Sequence, residues 1–191
     1  MSSVMVKTRK SPKTAVRERL LDAADRLFYE EGVQAVGIDR VLAEADAAKA
    51  SLYSHFGCKD ELVAAYVARR TGAARTAIEN YVEKFPAAER ALRFFDYVVG
   101  WTQQPDFRGC PVQHFVGELA DRDHPARRLA RDQRQWLIER FTEWARAAGA
   151  ADATRMGGAL LALFDGAVAA SEQDGPQRAK DARWAAQRLL A

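Results

Sequence analysis

Hydrogen-bonding side chains are concentrated in one short stretch of this 191-residue chain, and Leu52 and Phe56 are spaced through the same stretch. The polar members are Lys49, Ser51, Tyr53, Ser54 and His55. Residues four apart share one face of a helix, so Leu52 and Phe56 would hold such a helix to a core and leave the polar residues on its outer surface. Donors and acceptors displayed in this way are suited to contacts with the bases and phosphates of DNA.

A tight turn precedes this stretch. Asp46, Ala47 and Ala48 separate a predicted helix at about 38–45 from a second at about 49–56. Two short helices joined by such a turn form a helix-turn-helix, in which the second helix enters the major groove. A longer helix at about 14–31, ended by Gly32, would complete a trihelical unit. Its expected core residues are Leu27, Phe28, Val36, Val41, Leu42, Leu52 and Phe56.

Helical periodicity continues to the end of the chain, whereas the alternation of Val, Ile and Thr that is typical of strands is absent. Further helices are expected at about 59–84, 87–104, 112–120, 125–148, 152–172 and 177–190, with Pro and Gly residues between them. The sequence therefore predicts an all-α protein of nine helices.

The composition fits a globular protein, with 48% hydrophobic residues and a net charge of +3. Positive charge is concentrated at the start, where the first nineteen residues hold six basic side chains and one acidic one. Apolar runs are too short for a membrane span, and residues 1–13 lack the apolar stretch of a signal peptide. Two cysteines are too few for a disulfide framework. We therefore expect a cytoplasmic protein with no membrane partner.

Residues 32–62 carry a more specific pattern. They read GVQAVGIDRVLAEADAAKASLYSHFGCKDEL, in which Leu52-Tyr53-x-His55-Phe56 is followed by Lys59-Asp60-x-Leu62. This stretch resembles the DNA-binding signature of TetR-family regulators. The resemblance implies a two-domain helical homodimer that represses transcription and is released from DNA by an effector. It also implies a basic arm and DNA-binding domain at 1–58 and an effector-binding and dimerisation domain at 59–191.

The same resemblance assigns roles to individual positions. Lys49, Ala50 and Ser51 would begin the recognition helix and read bases, while Tyr53, Ser54, His55 and Lys59 would contact DNA around them, mainly at phosphates. Arg40, on the preceding helix, is a further candidate donor, although a merely solvated surface role is an equal alternative. Three positions depart from the family pattern: Gly37, Asp46 and Ala48. Since Ala48 has no side chain that can cap a helix, altered capping is expected.

The C-terminal half is rich in aromatic residues and contains no GxSxG, phosphate-loop or HExxH motif, so neither an enzyme nor a cofactor is expected. The aromatic residues could line a pocket for a small hydrophobic or amphipathic effector, or they could simply form core. The candidate ligand-binding residues are Phe94, Tyr97, Trp101, Phe107, Gln113, His114, Phe115, Trp136 and Phe141.

Cys110 and His114 invite comparison with a metal site, with His124 as a distant third ligand. Their spacing does not match a structural zinc site, so no metal is predicted. Cysteine-based redox sensing through Cys58 or Cys110 stays open as an alternative function. An effector-independent DNA-binding repressor is the other alternative, and it would have its C-terminal half filled with side chains.

Small residues in the predicted eighth helix would allow a partner helix to approach closely. Gly158, Ala162 and Gly166 recur at intervals of four and therefore share one stripe. With Phe164 and with Trp184 of the ninth helix, they are the expected dimer interface. A dimer would place two recognition helices on the halves of a near-palindromic operator.

Overall fold

The computed structural model describes residues 12–191, with side chains from residue 14 onward. In this range all regular structure is helical, which confirms the predicted all-α fold of nine helices. The helices are α1 (Pro12–Glu31), α2 (Ile38–Glu44), α3 (Lys49–Phe56), α4 (Lys59–Val82), α5 (Arg90–Thr102), α6 (Pro111–Glu118), α7 (Pro125–Ala147), α8 (Ala153–Asp174) and α9 (Gln177–Leu189). None of them has the length and hydropathy that crossing a membrane requires.

The predicted fifth helix differs at its start, because residues Ala87–Glu89 form a 3₁₀ turn ahead of α5. Two other helices begin with side-chain caps. The carboxylate of Asp152 accepts a hydrogen bond from the Arg155 backbone N–H at 2.9 Å, and His124 Nδ1 accepts one from the Ala126 N–H at 3.1 Å. Each cap satisfies a donor that has no partner within its own helix.

The chain divides into two compact units, Met1–Tyr66 and Val67–Ala191, and the boundary between them lies inside α4. The domain boundary expected from the sequence, between residues 58 and 59, lies at the start of that helix. In the first unit, all seven residues expected to form the small core are buried. Tyr66 adds to them by packing its ring edge-on against Phe28, with centroids 5.5 Å apart.

The second unit has an aromatic core to which α5, α7 and α8 contribute. Phe94 lies at its centre, with its ring centroid 4.8 Å from Phe141 and 5.2 Å from Phe164. A close crossing of α7 and α8 depends on Gly157, since a Cβ at this position would lie 2.8 Å from the backbone nitrogen of Thr142. Side chains essentially never approach so closely, so a glycine is required at this crossing.

Candidate DNA-binding surface and ligand cavity

The outer face of α3 carries the residues predicted to contact DNA. Leu52 and Phe56 are buried and hold the helix to the core, whereas Tyr53 is 47% exposed. The other predicted contacts on this helix are exposed at Lys49, Ala50 and Ser54 and half-buried at Ser51 and His55. The fold therefore displays all of these candidates on one short helix.

The turn between α2 and α3 is held by a residue from α1. Asp46 has a φ of 46°, a left-handed conformation that Asp tolerates better than most residues. Arg19 donates from Nε to the carbonyl of Ala45 and from Nη2 to that of Asp46, both at 3.0 Å. These bonds satisfy carbonyls at the end of α2. Arg19 is one of the six basic side chains in the first nineteen residues, and the sequence does not predict this role because the carbonyl partners are 26 and 27 residues away.

Both helices of the motif begin without a side-chain cap. Gly37 precedes α2 and Ala48 precedes α3, each in extended conformation and neither making a side-chain capping hydrogen bond. This confirms the altered capping expected from the sequence. The start of α3 at Lys49 is nevertheless where the family pattern implied it, since burial of Leu52 and Phe56 fixes the helix.

Lys49 begins α3, and two further predicted DNA contacts, Arg40 and Lys59, lie on α2 and at the start of α4. Arg40 Nη2 lies 2.7 Å from Glu31 Oε1 in an exposed ion pair. Lys49 Nζ lies 3.8 Å from Asp39 Oδ1, and both side chains are largely in solvent. Exposed pairs contribute about 0–1 kcal/mol, so neither cation is strongly held by its carboxylate. Lys59 is half-buried and is the first residue of α4. Residues 1–11, the first part of the expected basic arm, lie outside the described residues.

A cavity of about 1000 Å³ lies within the second unit, lined by residues of α4 to α8 and of the segment between α6 and α7. Four of the nine predicted ligand-binding residues lie on its wall: Phe94, Tyr97, Trp101 and Gln113. Burial raises the pKa of the Tyr97 phenol, which therefore stays protonated at neutral pH and can donate a hydrogen bond.

The other predicted ligand-binding residues lie off this wall because they pack elsewhere. Phe115 and Phe141 are fully buried between helices. The remaining three have partners of their own: Phe107 packs edge-on against Trp101, Trp136 lies under the guanidinium of Arg75, and His114 Nε2 lies 2.8 Å from Glu172 Oε2. Of the seven aromatic candidates, three lie on the cavity wall and four pack elsewhere, and the sequence pattern alone does not separate the two groups.

Arginines are the cavity residues that sequence reasoning missed. Among the described residues, the charged side chains on its wall are Asp165 and five arginines: Arg70, Arg122, Arg127, Arg131 and Arg134. Three of the five were detectable, because Arg127, Arg131 and Arg134 recur on one face of the predicted seventh helix.

Asp165 joins three helices beside the cavity. Its Oδ1 accepts from Gln113 Nε2 of α6 at 3.0 Å, and its Oδ2 from Arg134 Nη1 of α7 at 2.7 Å. Asp165 itself belongs to α8. Both carboxylate oxygens are thus engaged, and the carboxylate is neutralised by a cation.

Cys110 lies on the cavity wall, whereas His124 is part of a helix cap. Cys110 precedes α6 and is half-buried, and burial raises the pKa of its thiol, which lowers its reactivity at neutral pH. Cys58 is exposed. His124 caps α7, as described above. Among the described residues, no three His, Cys, Asp or Glu side chains are grouped so as to hold a metal ion.

The small-residue stripe of α8 faces outward. Ala162 and Gly166 are exposed, and a Cβ placed at Gly158 or Gly166 would have no heavy atom within 4 Å. Trp184 on α9 is 61% exposed. Phe164 is predicted to belong to the dimer interface, but it is buried in the core and lines the cavity.

Known proteins share this combination of helices. The sequence profile described as "Bacterial regulatory proteins, tetR family" matches residues 20–66. SCO4454, a TetR-family transcriptional regulator from Streptomyces coelicolor, has a solved structure that superposes with a TM-score of 0.88 at 34% identity, over 93% of this chain and 95% of that one. A putative TetR regulator from Streptomyces avermitilis gives 0.76 at 31% identity, over 90% and 98%. The Bacillus subtilis transcriptional regulator LmrA is 28% identical over 132 residues, which span 68% of this chain and 66% of LmrA.

An all-helical fold with a helix-turn-helix at residues 38–56 defines the class as DNA-binding transcriptional regulators. Because identity to SCO4454 reaches 34% across nearly the whole of both chains, the protein belongs to the TetR family.

Proposed function

We propose that the protein is an effector-released repressor that binds a near-palindromic operator as a homodimer. The observation that carries this proposal is the cavity of about 1000 Å³ in the second unit, a size typical of drug-sized ligands. A DNA-binding protein without an effector would have no use for such a space, so the cavity supports control by a small molecule.

On the operator, Lys49, Ala50 and Ser51 would meet base edges, because the N-terminal residues of a recognition helix enter the groove first. Tyr53, Ser54, His55 and Lys59 would contact DNA beside them, chiefly at phosphates, and so fix the register of the helix. Arg40 would add a phosphate or guanine contact after leaving Glu31. Their common display on and around α3 supports these roles.

Repression is the simplest outcome of such binding, because occupancy of a promoter alone blocks transcription. The action would take place in the cytoplasm, where bacterial DNA lies. The redox alternative has weak support at Cys110, given its raised thiol pKa, and would rest on exposed Cys58. Adding peroxide to the binding assay below tests it directly.

The test uses the full chain and an operator chosen by selection from random DNA. Compounds that raise the melting temperature are then added to the complex, and release is followed by fluorescence anisotropy. We expect Ala74→Phe, which fills the cavity from α4, to keep DNA affinity but to lose release by compounds.

Ala87→Phe is the matched control, because Ala87 is exposed and outside the cavity wall. It should respond to compounds as the unmodified protein does. If Ala74→Phe folds, binds DNA and is still released normally, the effector binds elsewhere. If no selected sequence is bound in preference to random DNA, the proposed function is wrong.

A further inference from the structure

We infer that the effector is an amphipathic anion, an acidic group attached to an apolar body, with its charge held by the arginines of the cavity. This inference rests on the proposed function only in treating the cavity as the effector site. It adds the charge and chemical class of the ligand, which the sequence left open.

The first support is the imbalance of charge on the cavity wall, where five arginines face one aspartate. Arg127, Arg131 and Arg134 lie on one face of α7, and Arg122 lies in the segment before it. Arg70 adds a guanidinium from α4. Clustered guanidinium groups create a positive potential and match the planar geometry of carboxylates and the oxygens of phosphates.

The second support is the state of Asp165, which excludes the opposite assignment. A lone carboxylate in an apolar cavity would favour a cationic ligand. Here, however, Gln113 and Arg134 bind one carboxylate oxygen each, so Asp165 already has its counter-charge. Among the described residues, the wall therefore has no further carboxylate to balance the other four arginines.

The third support is the unused hydrogen-bonding capacity of Arg122 and Arg131. Arg127 directs Nη2 to the carbonyls of Val116 and Leu119 at the end of α6. Its Nε is enclosed by protein and has no hydrogen-bond partner among the described residues, so it is closed to a ligand, and Arg127 adds positive charge to the wall. Arg122 and Arg131 are exposed, and neither is paired with an acidic side chain in the described part of the chain. An anionic ligand would supply acceptors to the exposed guanidinium groups of Arg122 and Arg131.

The remaining wall specifies the apolar body. Ile78, Val98, Trp101, Leu137 and Phe164 present hydrocarbon surface to the cavity. The Tyr97 phenol, whose raised pKa keeps it neutral, adds a donor without adding negative charge. A ligand with an acidic head alone would leave this apolar surface in water, so the head must carry a chain or ring system.

The direct test compares ligands that share one apolar body and differ in charge. Binding of decanoate, decyl phosphate, decyltrimethylammonium and 1-decanol to the full-length protein is measured by calorimetry at low and high salt. We expect both anions to bind at least about tenfold more tightly than the alcohol or the cation, and the advantage to shrink as salt screens the arginines. The two anions distinguish a carboxylate from a phosphate head.

Variants then locate the charge recognition. The double variant Arg122→Gln/Arg131→Gln should bind decanoate about fivefold or more weakly and leave 1-decanol affinity unchanged. Arg128→Gln is the matched control, since Arg128 is an exposed arginine of α7 outside the cavity wall. It should bind both ligands as the unmodified protein does.

The outcomes separate this inference from the proposed function. If 1-decanol or decyltrimethylammonium binds as tightly as decanoate, the inference is overturned, and release of DNA by those ligands would leave the proposed function intact. If decanoate binds with the expected charge dependence but DNA is not released, the ligand class stands and the effector-released repressor does not.

Discussion

The residues of α3 fall into two groups, those buried against the core and those exposed to solvent. Leu52 and Phe56 are buried, whereas Tyr53 keeps almost half of its surface exposed at 47%. Substitutions at Tyr53 should therefore act on DNA binding far more than on folding. Lys49 is more exposed still, at 62% of its side chain, and its distant Asp39 partner holds it only weakly.

Lys49→Ala should change which operator sequence is preferred. If Lys49 reads a base edge, its loss removes about 1–3 kcal/mol of discrimination at one base pair. Site selection from random DNA with both proteins would reveal relaxed preference at one position of each half-site. Lys180→Ala, an equal change of charge on exposed α9 surface, should leave the selected site unaltered. Equal loss of affinity for operator and random DNA would instead make Lys49 a phosphate contact.

Cys110 should react with iodoacetamide more slowly than Cys58 at pH 7. The thiolate is the reactive species, and burial raises the pKa of Cys110, so less thiolate is present at this pH, while Cys58 is exposed. Mass spectrometry of timed samples, with each single Cys→Ser variant as reference, gives the two rates. The rate at Cys110 should increase as the pH rises toward its pKa. A Cys110 rate equal to that of Cys58 would contradict this assignment.

The elements were the most predictable level of the structure. Periodicity and Pro or Gly punctuation predicted all nine helices, and α3 begins and ends where expected, because its two buried residues fix its position.

The residues that line the cavity were less predictable. Phe94 and Phe141 have similar sequence surroundings, yet only Phe94 reaches the cavity wall, since this depends on how α5, α7 and α8 pack. Arg19 illustrates the same limit, because its carbonyl partners are set by tertiary structure.

Two glycines in long helices should respond in opposite ways to alanine. Gly157→Ala should destabilise the protein by about 1–3 kcal/mol, because its Cβ would meet the backbone of Thr142 across the α7–α8 crossing. Gly72→Ala in α4 should stabilise it by up to about 1 kcal/mol, because a Cβ there meets nothing within 4 Å and alanine favours helix. Urea unfolding followed by circular dichroism measures both. A neutral Gly157→Ala would show that the crossing can relax.

Across the whole molecule, the recognition helix and the cavity belong to different compact units of one chain. α4 contributes residues to both of these units. One helix-turn-helix reads few base pairs, so the proposed homodimer would double the length of sequence that is read. We propose that the outward face of α8 and α9 joins the two copies, because small residues and an exposed tryptophan leave apolar surface uncovered there.

Ala162→Arg should convert the protein into folded monomers that have lost specific DNA binding. Ala162 is exposed on α8 between Gly158 and Gly166, so arginine fits the isolated chain but would place a bulky charge in the centre of a helix-to-helix interface. Sedimentation velocity gives the mass, circular dichroism the fold, and anisotropy the operator affinity. Ala87→Arg, the same change at an exposed alanine outside α8 and α9, should remain a dimer with full affinity. An intact dimer in Ala162→Arg would place the interface on another surface.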